Sequence, residues 1–238
     1  MKIINISGYK FLHIHDVFLQ REKMYEKLGD IGLLGKVMIS YEGINIMLSG
    51  DKKQIKEFYF FIKKDLRFTG ISFKKSYSDY IPFNELKIKC KNCIVPSKFD
   101  IFPTIQNKNT ITPKIFKWLL DYKKNITILD IRNKYEIDKG FFYKSIHLNI
   151  NQFRDIYTKL KNCSEKIKNI PTIMYCTGGI RCEKAIILAK KANFKNVYQV
   201  NGGILQYFKD IGQKYFQGRC FVFDNRESIT AEDVKYPQ

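Results

Sequence analysis

One cysteine in the 238-residue chain stands where a sulfur nucleophile would be made. Cys176 ends the apolar run Thr172-Ile173-Met174-Tyr175, and Thr177-Gly178-Gly179-Ile180-Arg181-Cys182 follows before a helix-forming stretch. Gly178 and Gly179 let the backbone turn freely, including through positive φ. The loop can then curl so that successive N–H groups point at the sulfur, with a helix N-terminus behind them. Such a cradle lowers a thiol pKa and makes the thiolate the nucleophile. Arg181 adds a fixed positive charge, and the same cradle would hold a persulfide, Cys–S–S⁻. Four residues separate Cys176 from Arg181. The ring one residue longer that cysteine phosphatases use suits a tetrahedral phosphate, so the shorter ring favours a smaller anionic sulfur group. A free cysteine is most often a small buried hydrophobe. The coincidence of strand, glycines, arginine and helix outweighs that reading here.

The other candidates are weaker. Cys182, in the first turn of the following helix, could resolve a persulfide or sulfenate on Cys176 as a disulfide, or could fill a serine-sized gap. Asp130 and Arg132 end an earlier strand and read as a buried ion pair that supports the loop. Cys90-Lys91-Asn92-Cys93 has zinc-ligand spacing but supplies two ligands only, and no second pair with that spacing exists, so no metal site is expected. His13, His15 and His147 show no metal spacing. Cys163 lies in a lysine-rich stretch and reads as incidental, and Cys220 stands alone.

These residues need elements to position them. Lys2 to Ile6 reads as a strand and Asp16 to Leu28 as an amphipathic helix ending near Gly29. Gly35 to Ser40 and Ile44 to Ser49 read as strands joined tightly through Tyr41-Glu42-Gly43. Asp51 caps a helix to about Leu66, and Ile71 to Tyr77 alternates as a strand. The order β-α-β-β-α-β is that of a ferredoxin-like α+β domain. Residues 96–111 hold two prolines and read as a linker. Thr112-Pro113 opens a helix through Leu120. Ile126 to Ile131 and Thr172 to Tyr175 suit buried parallel strands. A helix from Glu183 to Ala192, a strand from Val197 to Val200 and a helix from Ile204 to Phe208 complete an α/β domain. In such a sheet ligands sit at the carboxyl ends of strands, where Cys176 falls.

Composition sets the wider limits. The chain is 45% hydrophobic and 15% aromatic, which suits a sizeable core and excludes disorder. No apolar run is long enough to cross a bilayer and the N-terminus is a poor signal peptide, so a soluble cytoplasmic protein is expected. In that compartment the six cysteines read as thiols rather than a disulfide framework. The net charge of +19 favours a polyanionic partner. An AT-rich genome would also enrich lysine, and charge does not say which nucleic acid.

The segment Tyr175-Cys176-Thr177-Gly178-Gly179-Ile180-Arg181-Cys182-Glu183-Lys184-Ala185 resembles the active-site loop of a rhodanese-domain subgroup. Leu129-Asp130-Ile131-Arg132-Asn133 with Tyr135-Glu136 resembles its upstream signature. Val200-Asn201-Gly202-Gly203-Ile204, Phe221-Val222-Phe223-Asp224-Asn225-Arg226 and the hairpin Glu42-Gly43-Ile44-Asn45 fit as well. Together they resemble the oxygen-dependent tRNA uridine hydroxylases over nearly the whole chain. The resemblance implies a ferredoxin-like (acylphosphatase-like) domain over residues 1–95 and a linker over 96–111. A rhodanese-like domain with a parallel sheet follows over 112–217, then a C-terminal tail over 218–238. It implies a bacterial cytosolic enzyme that converts the wobble uridine of certain tRNAs to 5-hydroxyuridine with O2 as co-substrate. Cys176 takes the place of the catalytic cysteine, Arg181 acts with it, and Thr177, Gly178, Gly179, Ile180 and Cys182 complete the loop. No haem, flavin or iron motif is present, so no cofactor is identified and the reductant has no sequence signature. The partner implied is the tRNA anticodon arm, with a loop base splayed into a pocket. Tyr41 or Phe153 could stack on that base, and Arg154 matches a family Phe-Arg pair suited to phosphate. Many members continue into a cysteine-rich extension, whereas this sequence ends at Gln238, and Cys90 and Cys93 replace a valine- and glutamate-rich stretch. The loop alone equally suits a sulfurtransferase that carries sulfane sulfur on Cys176. A tRNA-binding module without catalysis is the third reading, against which the intact cysteine argues.

Overall fold

A computed structural model describes residues 2–104, 109–122 and 125–235. Residues 105–108 of the segment read as a linker and 236–238 of the tail lie outside the described residues. The chain forms two compact units. The first runs to Ile94 and takes in Asp224–Arg226 and the stretch from Asp233; the second comprises Val95–Phe223 and Glu227–Glu232.

In the first unit the elements are β1 (Ile3–Phe11), α1 (Val17–Ile31), β2 (Leu34–Ser40), β3 (Gly43–Gly50), α2 (Lys52–Lys64), β4 (Lys74–Ser78) and β5 (Leu86–Cys90). The sheet order is β4-β1-β3-β2-β5, antiparallel except where β5 runs parallel to β2. Alternation explains the packing: Ile6 of β1, Val37 and Ile39 of β2, and Ile44, Ile46 and Leu48 of β3 join one core. Met24, Leu28 and Ile31 of α1 and Ile55, Phe58 and Ile62 of α2 complete it. The Asp51 carboxylate accepts from the Gln54 backbone N–H at 2.8 Å, and the Gln54 side-chain oxygen accepts from the Asp51 N–H at 2.8 Å. This reciprocal box fixes the start of α2. Helix α1 runs past Gly29 to Ile31, and Gly32 ends it in the left-handed region at φ 76°. The strand expected at Ile71 begins at Lys74. Strand β5 lies beyond the strands expected from sequence, although Leu86, Ile88 and Cys90 alternate with lysines.

The second unit contains β6 (Thr110–Ile111), α3 (Pro113–Tyr122), β7 (Thr127–Asp130), α4 (Lys134–Ile137), β8 (Gly140–Phe142) and β9 (Ser145–His147). Then come α5 (Ile156–Lys161), α6 (Glu165–Asn169), β10 (Thr172–Tyr175), α7 (Ile180–Lys191), β11 (Val197–Val200) and α8 (Gly203–Asp210). The short strands β12 (Phe216–Gly218), β13 (Cys220–Phe221) and β14 (Ser228–Ile229) close it. The main sheet has the order β6-β11-β10-β7-β9 with every pairing parallel. Both β7 and β10 are buried at all four positions, as a sheet covered on both faces requires. Thr110–Ile111, at the end of the stretch read as a linker, pairs with β11. The stretch read as a tail forms the β13–β14 pair because Cys220, Val222, Ile229 and Ala231 are buried.

The site-bearing strands rest on an aromatic core. The Phe142 ring meets Phe116, Tyr175, Tyr207 and Phe216 edge to face, with centroids 4.7–5.1 Å apart. The Tyr175 hydroxyl accepts from the Phe142 N–H at 3.2 Å and donates to Ser145 Oγ at 3.0 Å, which satisfies the buried phenol.

Candidate active site

Strand β10 delivers Cys176 to the carboxyl end of the sheet, between the strand and the N-terminus of α7. The sulfur is wholly buried and accepts from the Gly179 N–H at 3.1 Å. Gly179 achieves this at φ 97°, where an L side chain is strained. Gly178, expected to share the positive φ, does not take it. A Cβ added at Gly178 would meet nothing within 4 Å. A third glycine completes the cradle. Gly203 opens α8 at φ 64°, and a Cβ there would lie 2.3 Å from the Cys176 carbonyl oxygen. Only hydrogen fits, so the α8 amides of Ile204 and Leu205 reach the carbonyls of Cys176 and Thr177 at 3.0 and 3.1 Å.

Burial alone would push the Cys176 thiol up; opposing interactions bring it down to about 6. The largest of these is a hydrogen bond from the Cys182 thiol, followed by the Arg181 charge and the Arg181 and Gly179 backbone amides. Cys182 is correspondingly held well above the usual thiol range, by burial and by its bond to Cys176. The pair is therefore a thiolate and a neutral thiol that donates to it. Arg181 contributes less than its charge suggests because it is already paired. Its guanidinium makes a two-point ion pair with Glu136, with Nη1 on Oε1 and Nη2 on Oε2, the latter at 2.7 Å. Glu136 is fully buried on α4 and also accepts from the Asn133 N–H at 3.1 Å and the Thr177 hydroxyl at 3.4 Å.

Asp130 and Arg132 are both fully buried at the end of β7. Arg132 donates from Nε to Asp130 Oδ1 at 3.0 Å and from Nη2 to Oδ2 at 2.7 Å, and Nη2 also reaches the Gly140 carbonyl at 2.7 Å. The guanidinium lies 5.7 Å from the centroid of the Tyr175 ring, directly before Cys176 in the chain. Arg154 is exposed on the single turn Phe153–Asp155, and no described contact ties it to the loop. Phe153 is buried and Tyr41 is exposed in the first unit. Cys90 is half-buried in β5, and Cys93 is half-buried after it. Among the described residues, no group of three or more His, Cys, Asp and Glu is placed to hold a metal ion.

Two members of the site were not singled out in the sequence. Glu136 stood only inside a motif, yet the fold aims it at Arg181 across 45 positions. Its signal was the helix-capping spacing from Asn133. Cys220 is fully buried beside Thr177 of the loop. Burial pushes its thiol up to about 12, and the Arg132 charge only partly offsets this. Nothing local in the sequence pointed there.

A parallel sheet carrying a glycine-turned cysteine loop, with an α+β unit before it, is the architecture of a rhodanese-like domain protein. Comparison with known families agrees: residues 3–94 match the UPF0176 acylphosphatase like domain, and residues 112–210 match the Rhodanese-like domain. The chain is 34% identical over 235 residues to the tRNA uridine(34) hydroxylase of Cupriavidus metallidurans, covering 96% of this chain and 83% of that protein. Proteins of the same name from Xanthomonas campestris pv. campestris and Legionella pneumophila are each 35% identical, over 97% and 99% of this chain and 93% and 94% of theirs. The chain belongs to the tRNA uridine(34) hydroxylase family.

Proposed function

We propose that this chain hydroxylates the uridine at position 34 of tRNA, giving 5-hydroxyuridine, with O2 as co-substrate and Cys176 as the reactive sulfur. The observation that carries the reading is the Cys176 thiolate in its cradle of thiol, amide and guanidinium, in a chain that matches relatives of this name over nearly its whole length. The net charge of +19 suits a tRNA partner; position 34 puts the contact at the anticodon arm, and a tRNA substrate implies a cytoplasmic enzyme. Among the described residues no helix is long and apolar enough to cross a membrane. Replacing the base C–H by C–OH takes one oxygen atom from O2. The other leaves as water with two protons and two electrons, which an external reductant supplies. Cys176 and Arg181 face the reacting centre; Thr177, Gly178, Gly179, Ile180 and Cys182 shape the anion cradle; Asp130 and Arg132 hold the strand end. Arg154 is offered to tRNA phosphate.

The test is mass spectrometry of tRNA nucleosides from a host lacking its own wobble-uridine hydroxylation, expressing the wild type or Cys176→Ser in air. Modified uridine with the wild type alone supports the reading. Its absence with both, in folded protein, sinks it and turns attention to sulfur transfer from thiosulfate, which the same short ring would serve.

A further inference from the structure

Beside the loop lies a feature that the thiolate chemistry does not use. Tyr135 on α4 meets Phe221 of β13 edge to face at 5.2 Å between centroids, and Phe221 meets Phe223 in the same way at 5.2 Å. The outer two rings remain open to solvent, with Tyr135 45% and Phe223 41% exposed. The row is tied to the reactive sulfur through one side chain. Arg181, whose charge and backbone amide hold the Cys176 thiolate, places its guanidinium 5.8 Å from the Phe223 ring centroid. The carboxylate that fixes that guanidinium is Glu136, next in sequence to Tyr135. Within the second unit a chain of contacts therefore runs from the exposed rings through the buried Arg181 guanidinium to the buried thiolate.

Exposed aromatic rings held in fixed orientation beside a reactive group suit a planar ligand. Each ring here is braced by its neighbour and Tyr135 also by Asn133, whose amide donates to the phenol oxygen at 3.2 Å, so little order is lost when a flat group lands on them. Since Cys176 is itself wholly buried, a substrate must be held at the rim of the loop rather than drop onto the sulfur. Gly178, half-buried in the loop, has open space where its Cβ would be.

We propose that Tyr135, Phe221 and Phe223 are the stacking platform that receives the unstacked uracil and presents its edge to the Cys176 loop. This rests on the reading of the chain as a tRNA uridine hydroxylase. An RNA loop base offers one planar face, and stacking on an aromatic side chain is how proteins hold such a base without pairing it. In that role the two exposed rings set base position, and Phe221 sets the rings.

The test uses the full chain and an anticodon stem-loop RNA carrying uridine at position 34. Phe223→Leu and Tyr135→Leu are each compared with wild type, with Phe223→Tyr as the conservative control. Loss of one stacking partner should lower kcat/KM by about tenfold or more, and Phe223→Tyr should keep near wild-type values. The pH midpoint of Cys176 alkylation should stay unchanged, which a collapsed loop would not allow. Wild-type kcat/KM in both leucine variants overturns the platform while leaving the hydroxylase reading intact. So does a loss that Phe223→Tyr shares in full, since an aromatic ring would then not suffice. Failure of the wild type to restore the modified uridine in the host described above, where the cell supplies the reductant, overturns both readings.

Discussion

The same three-residue turn occurs in both units with the same bonds and in opposite surroundings. Asp65-Leu66-Arg67 and Asp130-Ile131-Arg132 each have the arginine backbone N–H on the aspartate Oδ1 at 3.0 Å. In each, Nε donates to Oδ1 at 3.0 Å and Nη2 to Oδ2 at 2.7 Å. The first pair has side chains 37% and 29% exposed, and the second is 0% exposed on both sides. Aspartate two residues before arginine builds a closed fork by local geometry alone. Burial then decides what the fork is worth, because water substitutes for either partner in the first unit and for neither in the second.

The largest effect is expected at Arg132. Replacing it with Met strands the buried Asp130 carboxylate beside the strand that leads into the loop. A loss of about 3–5 kcal/mol is expected, read as a lowered unfolding midpoint of the second unit. The double variant Asp130→Leu/Arg132→Met removes both charges and should recover much of that loss. If the double variant is no more stable than the single, the pair is not the isolated buried charge couple described here.

A second contrast lies within the loop, between the two groups that act on Cys176 with opposite sign. Glu136→Gln removes the negative charge that offsets Arg181, so the Cys176 alkylation midpoint, expected at about 6 in the wild type, should fall. Cys182→Ala removes the leading hydrogen bond to the thiolate, so the midpoint should rise toward the ordinary thiol value. In the wild type the alkylation rate should be flat above pH 7 and drop to about a tenth at pH 5, since one unit below the midpoint leaves about a tenth as thiolate. Midpoints that move together in the two variants would show that these groups hold the loop in shape rather than set its charge.

How much of this was legible follows from the range of each interaction. Cys176, its glycines and Arg181 lie in one stretch, and a strand-loop-helix pattern is a local signal, so the cradle could be read directly. So could Asp130 and Arg132, two residues apart. The sheet's parallel order followed from strands alternating with helices. Glu136 and Cys220 could not be singled out, because their contacts with Arg181 and Thr177 span 45 and 43 positions and depend on how α4 and β13 dock. Cys182 was visible, but whether it donated to the sulfur or merely filled space turns on an orientation that spacing does not fix. The two loop glycines look alike in sequence, and only backbone angles separate them.

That separation gives a third, smaller effect. Gly179→Ala forces a side chain into the left-handed region at φ 97° and should cost about 1–2 kcal/mol. It should also loosen the 3.1 Å bond from the Gly179 amide to the sulfur, raising the alkylation midpoint. Gly178→Ala meets no atom within 4 Å and should leave both stability and midpoint near wild type. Equal losses at the two positions would count against the difference in their backbones.

The smallest effect is expected where the comparison began. Arg67 holds Asp65 and also donates to Asp16 at 2.5 Å, so on a bond count it outranks Arg132. Its side chain is 37% exposed, however, and exposed forks trade protein partners for water at little net gain. Arg67→Ala should therefore cost about 1 kcal/mol or less, and the cost should shrink with added salt. The sign of its pH dependence follows from the carboxylates. Hydrogen bonding to Arg67 holds Asp16 well below its usual value of 3.8 and lowers Asp65 as well. A carboxylate depressed on folding adds stability above its unfolded pKa and loses it as pH falls through the folded one. The gap between wild type and Arg67→Ala should thus be constant near neutrality and close only in acid, below about pH 4. A gap comparable to that of Arg132→Met, insensitive to salt, would mean that the fork itself, and not its burial, sets the energy.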